Sequence, residues 1–208
     1  VTDSPLIPER APQPARRKAP RDPHDHFVEE RWVSARLFAE RDFGPAIVDP
    51  CAGFGNIVLS ARAAGLKAYG CDLVKRARFV SGGRDFLAED WRPPRGAPAR
   101  FSIVCNPPFG GRKPTIRRFA EKALLWARRV ALLIPLRRWA PAGDWLAGLP
   151  LAEKLTLRDR TSLWPGAIYA EIVASGAELK PGREEMCWLI FDRRHRGPST
   201  NDWLRRQA

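Results

Sequence analysis

Residues 46–64 place the apolar run Ala46-Ile47-Val48 ahead of Asp49-Pro50-Cys51-Ala52-Gly53-Phe54-Gly55, and follow it with Val58-Leu59-Ser60-Ala61-Arg62-Ala63-Ala64. A short apolar run bounded by proline and glycine reads as a buried strand, and the segment after it has good helix propensity. Strand, tight turn and helix in that order commit this stretch to an α/β unit. Glycines at 53 and 55 let the backbone take positive φ or approach a ligand closely. The dinucleotide fingerprint G-x-G-x-x-G calls for glycine at 58, where Val58 stands, and no lysine follows in the P-loop pattern. Pyrophosphate cofactors and nucleoside triphosphates are therefore disfavoured. An acid before the turn, Asp49, suits a ligand that carries positive charge.

A second strand, Leu66-Lys67-Ala68-Tyr69-Gly70-Cys71, ends in Asp72-Leu73. Asp72 lies about twenty residues past the first glycine, where nucleotide-binding α/β folds keep an acid for ribose hydroxyls. Arg84-Asp85-Phe86-Leu87 then offers a third acid with an aromatic neighbour, suited to an adenine edge. Any one of these acids alone reads better as a solvated loop carboxylate; three in order at strand ends form a constellation.

The third strand, Ile103-Val104-Cys105, runs straight into Asn106-Pro107-Pro108-Phe109. Consecutive prolines hold φ at about −65° and bias Asn106 away from helix. The Asn106 amide and the backbone carbonyls are thereby freed to face a cleft, and Phe109 supplies a flat face for stacking. Such a mouth suits a planar amine held before an electrophile. Asn-Pro-Pro is also ordinary turn punctuation, and only the acids upstream lift it above that.

Taken together, these segments resemble the class I S-adenosylmethionine-dependent methyltransferases, and within them the amino-methyltransferases. Asp49 to Gly55 is similar to that family's cofactor loop, Asp72 to its ribose-binding acid, and Asp85-Phe86 to its adenine-edge segment. Asn106 to Phe109 resembles its catalytic tetrapeptide. The motif order resembles the small adenine-N6 methyltransferases often carried by phages and prophages, over residues 24–205. The resemblance implies a Rossmann-like, seven-stranded, mostly parallel sheet closed by an antiparallel hairpin. It implies S-adenosylmethionine as cofactor, held by Phe27, Val28, Asp49, Pro50, Cys51, Gly53, Gly55, Asp72, Leu73, Asp85, Phe86 and Asn106. Its sulfonium methyl is a strong electrophile, so no metal or covalent nucleophile is expected. Asn106 Oδ1 and the Pro107 carbonyl would accept the amine hydrogens, with Pro108 stiffening the turn and Phe109 stacking on a flipped base.

Thirty-six Lys and Arg against 23 Asp and Glu give a net charge of +13, a field that draws polyanions. Arginine-rich coding alone would inflate this number. Yet Arg112-Lys113 and Arg117-Arg118 directly follow the tetrapeptide, where a phosphate backbone would pass. Nucleic acid is the expected partner, DNA ahead of RNA, with a homodimer or a specificity subunit left open. Candidate nucleic-acid contacts are Arg112, Lys113, Arg117, Arg137, Arg138, Trp139, Arg160 and Trp164. With 8 tryptophans in the chain, core packing is the default role for any one of them.

At 208 residues the chain suits one core. Residues 1–23, rich in proline and basic side chains, read as a basic arm disordered in isolation, and 24–208 as one catalytic domain without a separate recognition domain. His24-Asp25-His26-Phe27-Val28-Glu29-Glu30 reads as a loop entering a helix at Arg31 to Glu40, and His24 and His26 as solvated histidines. Helix signals lie at 114–129 and, more weakly, 142–149. Later strands are expected at Val130 to Leu136, Leu151 to Arg160 and Glu185 to Asp192, the last two joined by the helix-poor stretch Thr161 to Glu184. The four cysteines (Cys51, Cys71, Cys105 and Cys187) form no C-x-x-C pair and read as small buried hydrophobes. No apolar run reaches bilayer length and the N-terminus lacks a secretory core, so a cytoplasmic protein is expected. Competing readings are methylation of bases in structural RNA, of cytosine N4, or of a protein glutamine amide, and a non-catalytic nucleic-acid-binding protein of degenerate methyltransferase fold.

Overall fold

The computed structural model describes residues 26–109, 115–139, 146–176 and 184–206. The expected basic arm, Arg112, Lys113 and the first half of the 142–149 helix signal lie outside the described residues. Strand β1 is Phe27–Glu29, followed by α1 (Arg31–Glu40), β2 (Ala46–Asp49), α2 (Asn56–Ala63), β3 (Lys67–Cys71) and β4 (Val80–Ser81). Then come β5 (Ser102–Cys105), α3 (Thr115–Trp126), β6 (Arg129–Pro135), β7 (Leu151–Leu157), β8 (Leu163–Pro165), α4 (Gly166–Ser175), β9 (Met186–Asp192) and β10 (Thr200–Leu204).

One sheet has the order β10-β7-β9-β6-β5-β2-β3-β4, and β1 pairs with β8 in a separate antiparallel ribbon. Strands β4, β3, β2, β5 and β6 run parallel, while β9 is antiparallel to both β6 and β7. Every residue of β2 and β5 is buried, as expected of parallel strands covered on both faces. Side chains alternate between two cores. In β6, Ala131 and Leu133 enter the core under α1 and α2, while Val130, Leu132 and Ile134 enter the core under α3. In β9, Trp188 and Ile190 face the first, and Cys187, Leu189 and Phe191 the second. Helix α3 answers with Ile116, Phe119, Ala120, Ala123 and Leu124, a stripe at helical spacing.

The sheet has eight strands where seven were expected. The addition is β10, parallel to β7, clasped by Arg41, whose guanidinium reaches Glu153 at 2.6 Å and Asp202 at 2.8 Å. Only Leu204 of β10 is buried, so no alternating pattern marks it in sequence. Phe27–Glu29 is a strand, not a loop, because it finds Leu163–Pro165 more than a hundred residues away. The stretch expected to be helix-poor contains α4, apolar on nearly every side apart from Glu171, and closed by Gly176 at φ 68°. The expected antiparallel pairing of the late strands is present as β7 against β9.

The direction in which the chain adds strands reverses at β2, which pairs with β3 on one side and β5 on the other. Open α/β sheets form their crevice at that switch point, beyond the carboxyl ends of the strands. Trp188 is fully buried near the middle of β9, between β6 and β7. Trp188→Ala should lower unfolding free energy by about 3–5 kcal/mol, read from denaturant midpoints; a loss near zero would show that the core closes over the gap.

Candidate active site

A cleft of about 180 Å³ opens at the switch point. The carboxyl end of β2 delivers the glycine turn: Gly53 has φ 49°, and Gly55, which caps α2, has φ 86°. Side chains are excluded there twice over, since a Cβ on Gly53 would meet the His26 ring and one on Gly55 the Phe79 ring. Asp72, at the end of β3, binds the turn directly: Gly53 N–H donates to its Oδ2 at 2.8 Å. Its Oδ1 accepts from Val74 N–H at 3.0 Å and faces Arg76 at 3.3 Å. Asp85 accepts from Leu87 N–H at 2.8 Å, and Phe86 stacks edge-on against Trp91 at the cleft floor.

Of the cofactor residues expected from sequence, Phe27, Val28, Pro50, Cys51, Gly53, Asp72, Leu73, Asp85 and Phe86 line this cleft, as do Asn106, Pro107, Pro108 and Phe109. Asp49 and Gly55 do not. Asp49 is buried behind the turn, its Oδ1 accepting Cys51 N–H at 3.0 Å. Burial pushes its carboxyl well above the ordinary range, the Cys51 N–H opposes this, and the Glu29 and Asp72 charges add to it. Burial likewise raises the Cys51 thiol far above its usual value, which makes it a packing group and not a thiolate.

The tetrapeptide is held by groups the sequence reading passed over. Asn106 Nδ2 donates to the Phe27 carbonyl at 3.0 Å and to Glu29 Oε2 at 2.9 Å. With both acceptors on that side, the amide cannot turn its oxygen there without facing a carbonyl and a carboxylate. Oδ1 is left buried with no hydrogen-bond partner among the described residues. Asn56 extends the same scaffold, its Nδ2 donating to the Glu29 carbonyl at 2.7 Å and to Tyr169 Oη at 3.3 Å. His26 lines the cleft, against the expectation of a solvated ring; it packs at 5.4 Å from Phe54, and Gly166 N–H donates to its carbonyl. The one hint in sequence was a pair of acids, Glu29-Glu30, after two apolar residues in a basic chain. Glu30 fixes the ribbon, since its Oε2 accepts from Trp32 Nε1 at 2.7 Å and Thr161 Oγ1 at 3.0 Å.

The basic residues expected to meet nucleic acid divide. Arg138 Nη2 donates to the Phe109 carbonyl at 3.0 Å, which joins it to the tetrapeptide. Arg117, Arg137 and Arg160 pair with Glu121, Glu184 and Glu185. The Trp139 ring lies 4.6 Å from Lys154 Nζ, and Trp164 is a half-buried member of β8, opposite Val28. Among the described residues no group of three His, Cys, Asp or Glu is placed to hold a metal ion. No helix there is long and apolar enough to cross a membrane.

No protein-family model matches the chain, and no curated protein matches its sequence. Solved structures do. The type I restriction-modification system methyltransferase subunit from Streptococcus thermophilus superposes with TM-score 0.51 at 10% identity, over 83% of this chain and 47% of that one. A modification subunit assigned to a type I restriction enzyme of Vibrio vulnificus YJ016 gives TM-score 0.50 at 15% identity, over 84% and 45%. A protein assigned as an RNA methyltransferase in Pyrococcus horikoshii gives 0.48 at 20%, over 78% and 80%. The chain thus spans about half the length of the two restriction-modification subunits. The first two likenesses establish the fold, the Rossmann-like α/β sheet of class I methyltransferases with its antiparallel strand pair.

Burial raises the Glu29 carboxyl above the ordinary carboxylate range, with the Asn106 hydrogen bond opposing. A raised acid binds its proton more readily in the folded state, so stability falls as pH climbs from the unfolded pKa through the folded one. Glu29→Gln keeps an acceptor for Asn106 and removes the charge. Its stability, measured by denaturant titration between about pH 4 and 8, should decline less with rising pH than that of the wild type. An unchanged slope would mean that Glu29 is not desolvated as described.

Proposed function

We propose that this chain is an S-adenosylmethionine-dependent methyltransferase whose acceptor is the exocyclic N6 amine of adenine in DNA. The observation that carries this reading is the amide of half-buried, cleft-lining Asn106: pinned through its nitrogen and left with an Oδ1 that has no partner among the described residues. An acceptor fixed in that way, on a proline-stiffened turn beside an aromatic ring, has a use when an amine N–H arrives.

The residues present fit the cofactor. The turn at Gly53 and Gly55 has no space for side chains, Asp72 stands at the strand end where ribose hydroxyls are taken, and Asp85 and Phe86 continue the same wall. Phe27 and Val28 cover the other side of the cleft. When bound, S-adenosylmethionine supplies a sulfonium-borne methyl, a strong electrophile.

The task left to the protein is to make a conjugated amine nucleophilic. Asn106 Oδ1 accepts one amine hydrogen and the Pro107 carbonyl the other, which draws the nitrogen toward tetrahedral geometry and frees its lone pair. As the new N–C bond formed and the methyl's bond to sulfur broke, the amine would acquire positive charge that both oxygens stabilise, until one of its protons is released to water and the sulfur leaves as a neutral thioether. Preorganised acceptors of this kind are worth about 3–4 kcal/mol each. Glu29 and the Phe27 carbonyl keep the amide from rotating, so no reorganisation accompanies the step. Phe109 offers its face to the base and offsets part of the unstacking free energy. The +13 charge favours a nucleic acid over a protein acceptor, and the preference for DNA rests on Asn in first place and Phe in last and on the restriction-modification origin of the two structures that superpose best among those described.

Asn106→Ala should lower turnover about 100-fold or more while cofactor affinity, read by calorimetry, stays within a few-fold. Asp72→Ala should do the reverse and weaken cofactor binding; unchanged affinity there would remove Asp72 from the cofactor site. Transfer of labelled methyl to unmethylated duplex DNA, single-stranded DNA and bulk RNA, followed by nucleoside mass spectrometry, tests the substrate. N6-methyladenine in DNA is the expected product. Label confined to RNA would keep the mechanism and overturn the polymer, and bound cofactor with no label anywhere would overturn a nucleic-acid acceptor for the isolated chain.

A further inference from the structure

The sheet carries a second concavity at its opposite end, of about 690 Å³, where the parallel strands begin and β9 finishes. Five arginines line it: Arg100 ahead of β5, Arg128 and Arg129 at the start of β6, and Arg193 and Arg194 after β9. One carboxylate, Asp42, lies among the lining residues, and it accepts the Gly44 N–H. The neighbouring Asp192 faces Arg128 at 3.1 Å and accepts the Arg194 N–H at 2.9 Å. Both acids are therefore engaged locally. Arg100, Arg129, Arg193 and Arg194 have no carboxylate partner among the described residues.

Arg129 is the most telling. Its guanidinium sits 5.1 Å over the Phe43 ring, and its Nε is buried without an acceptor. A buried donor left without an acceptor is unfavourable, and a charged one more so. Side chains fixed over an aromatic floor, with N–H groups unmatched, are preorganised for an incoming oxyanion. Guanidinium forks match phosphate oxygens in bidentate geometry and bind them more strongly than neutral donors do.

We infer that this arginine-lined pocket at the amino-terminal end of the sheet binds phosphate groups, at a site separate from the candidate methyl-transfer cleft. The seven residues of β6 put the two ends about 20 Å apart, so an anion held here does not enter the cleft. The phosphates belong either to a nucleic-acid chain or to a free polyphosphate, and the two sources separate by experiment.

The full chain is titrated with inorganic tripolyphosphate and with a short single-stranded oligodeoxynucleotide by calorimetry, alongside two charge-swapped variants. Arg193→Glu with Arg194→Glu alters the pocket at exposed side chains, so folding is preserved. Arg158→Glu with Arg205→Glu makes the same change in net charge at exposed positions outside it. The pocket variant should bind at least one of the two ligands about tenfold more weakly than the control variant does, with cofactor affinity equal in both. A loss for tripolyphosphate identifies a free polyanion site, and a loss for the oligonucleotide alone identifies nucleic-acid backbone. Equal weakening in the two variants, or binding of neither ligand by the wild type, would overturn the assignment, because the general field of a basic protein would then account for everything.

Discussion

Burial of the sheet on both faces is the constraint from which the rest of the structure follows. With α1 and α2 packed on one side and α3 on the other, the central strands β2, β5, β6 and β9 have no solvated face on which to carry polar chemistry. Charged groups are therefore driven to the two ends of the strands. At the carboxyl end they are Asp72, Asp85 and Asn106, with Arg76 and Arg84 beside them. At the amino end they are arginines. Five arginines line the concavity at that end.

Within the first end, positioning comes from pairs of elements distant in sequence. The glycine turn after β2 is tied to the end of β3 through Gly53 and Asp72. The tetrapeptide after β5 is tied to β1 through Asn106, Glu29 and the Phe27 carbonyl. β1 is itself held by β8 and by Glu30 against Thr161. The amide proposed to meet substrate thus depends on a ribbon outside the main sheet. Rigidity at Asn106 is bought by burying Glu29, whose raised pKa records the desolvation.

What the sequence made legible follows the same physics. Ala46–Asp49, Lys67–Cys71, Ser102–Cys105 and Met186–Asp192 were readable because doubly covered strands are near-continuous apolar runs. The glycine turn and Asn106-Pro107-Pro108-Phe109 were readable because their backbone demands restrict residue type. Five elements were not, among them the two-residue β4 and the three-residue β8. β1 is three residues long and exists through a distant partner; α4 is apolar without a period; β10 is polar, with Leu204 alone buried. Glu29 was hidden for the same reason as β1, since its role is set by a contact across 77 positions. Asp49 was placed in the site by its proximity to the glycines, but β2 ends with that side chain turned behind the loop.

The clasp of Arg41 on Glu153 and Asp202 has a consequence for how this protein meets other chains. It seats a polar outermost strand, β10, against β7, while the far margin of the sheet is the two-residue β4. A sheet's flank is ordinarily an open template on which a stray segment can zip by main-chain hydrogen bonding. Here one flank is too brief to template anything and the other is decorated with Asn201 and Asp202. Strand addition by another chain is discouraged on both sides of the sheet.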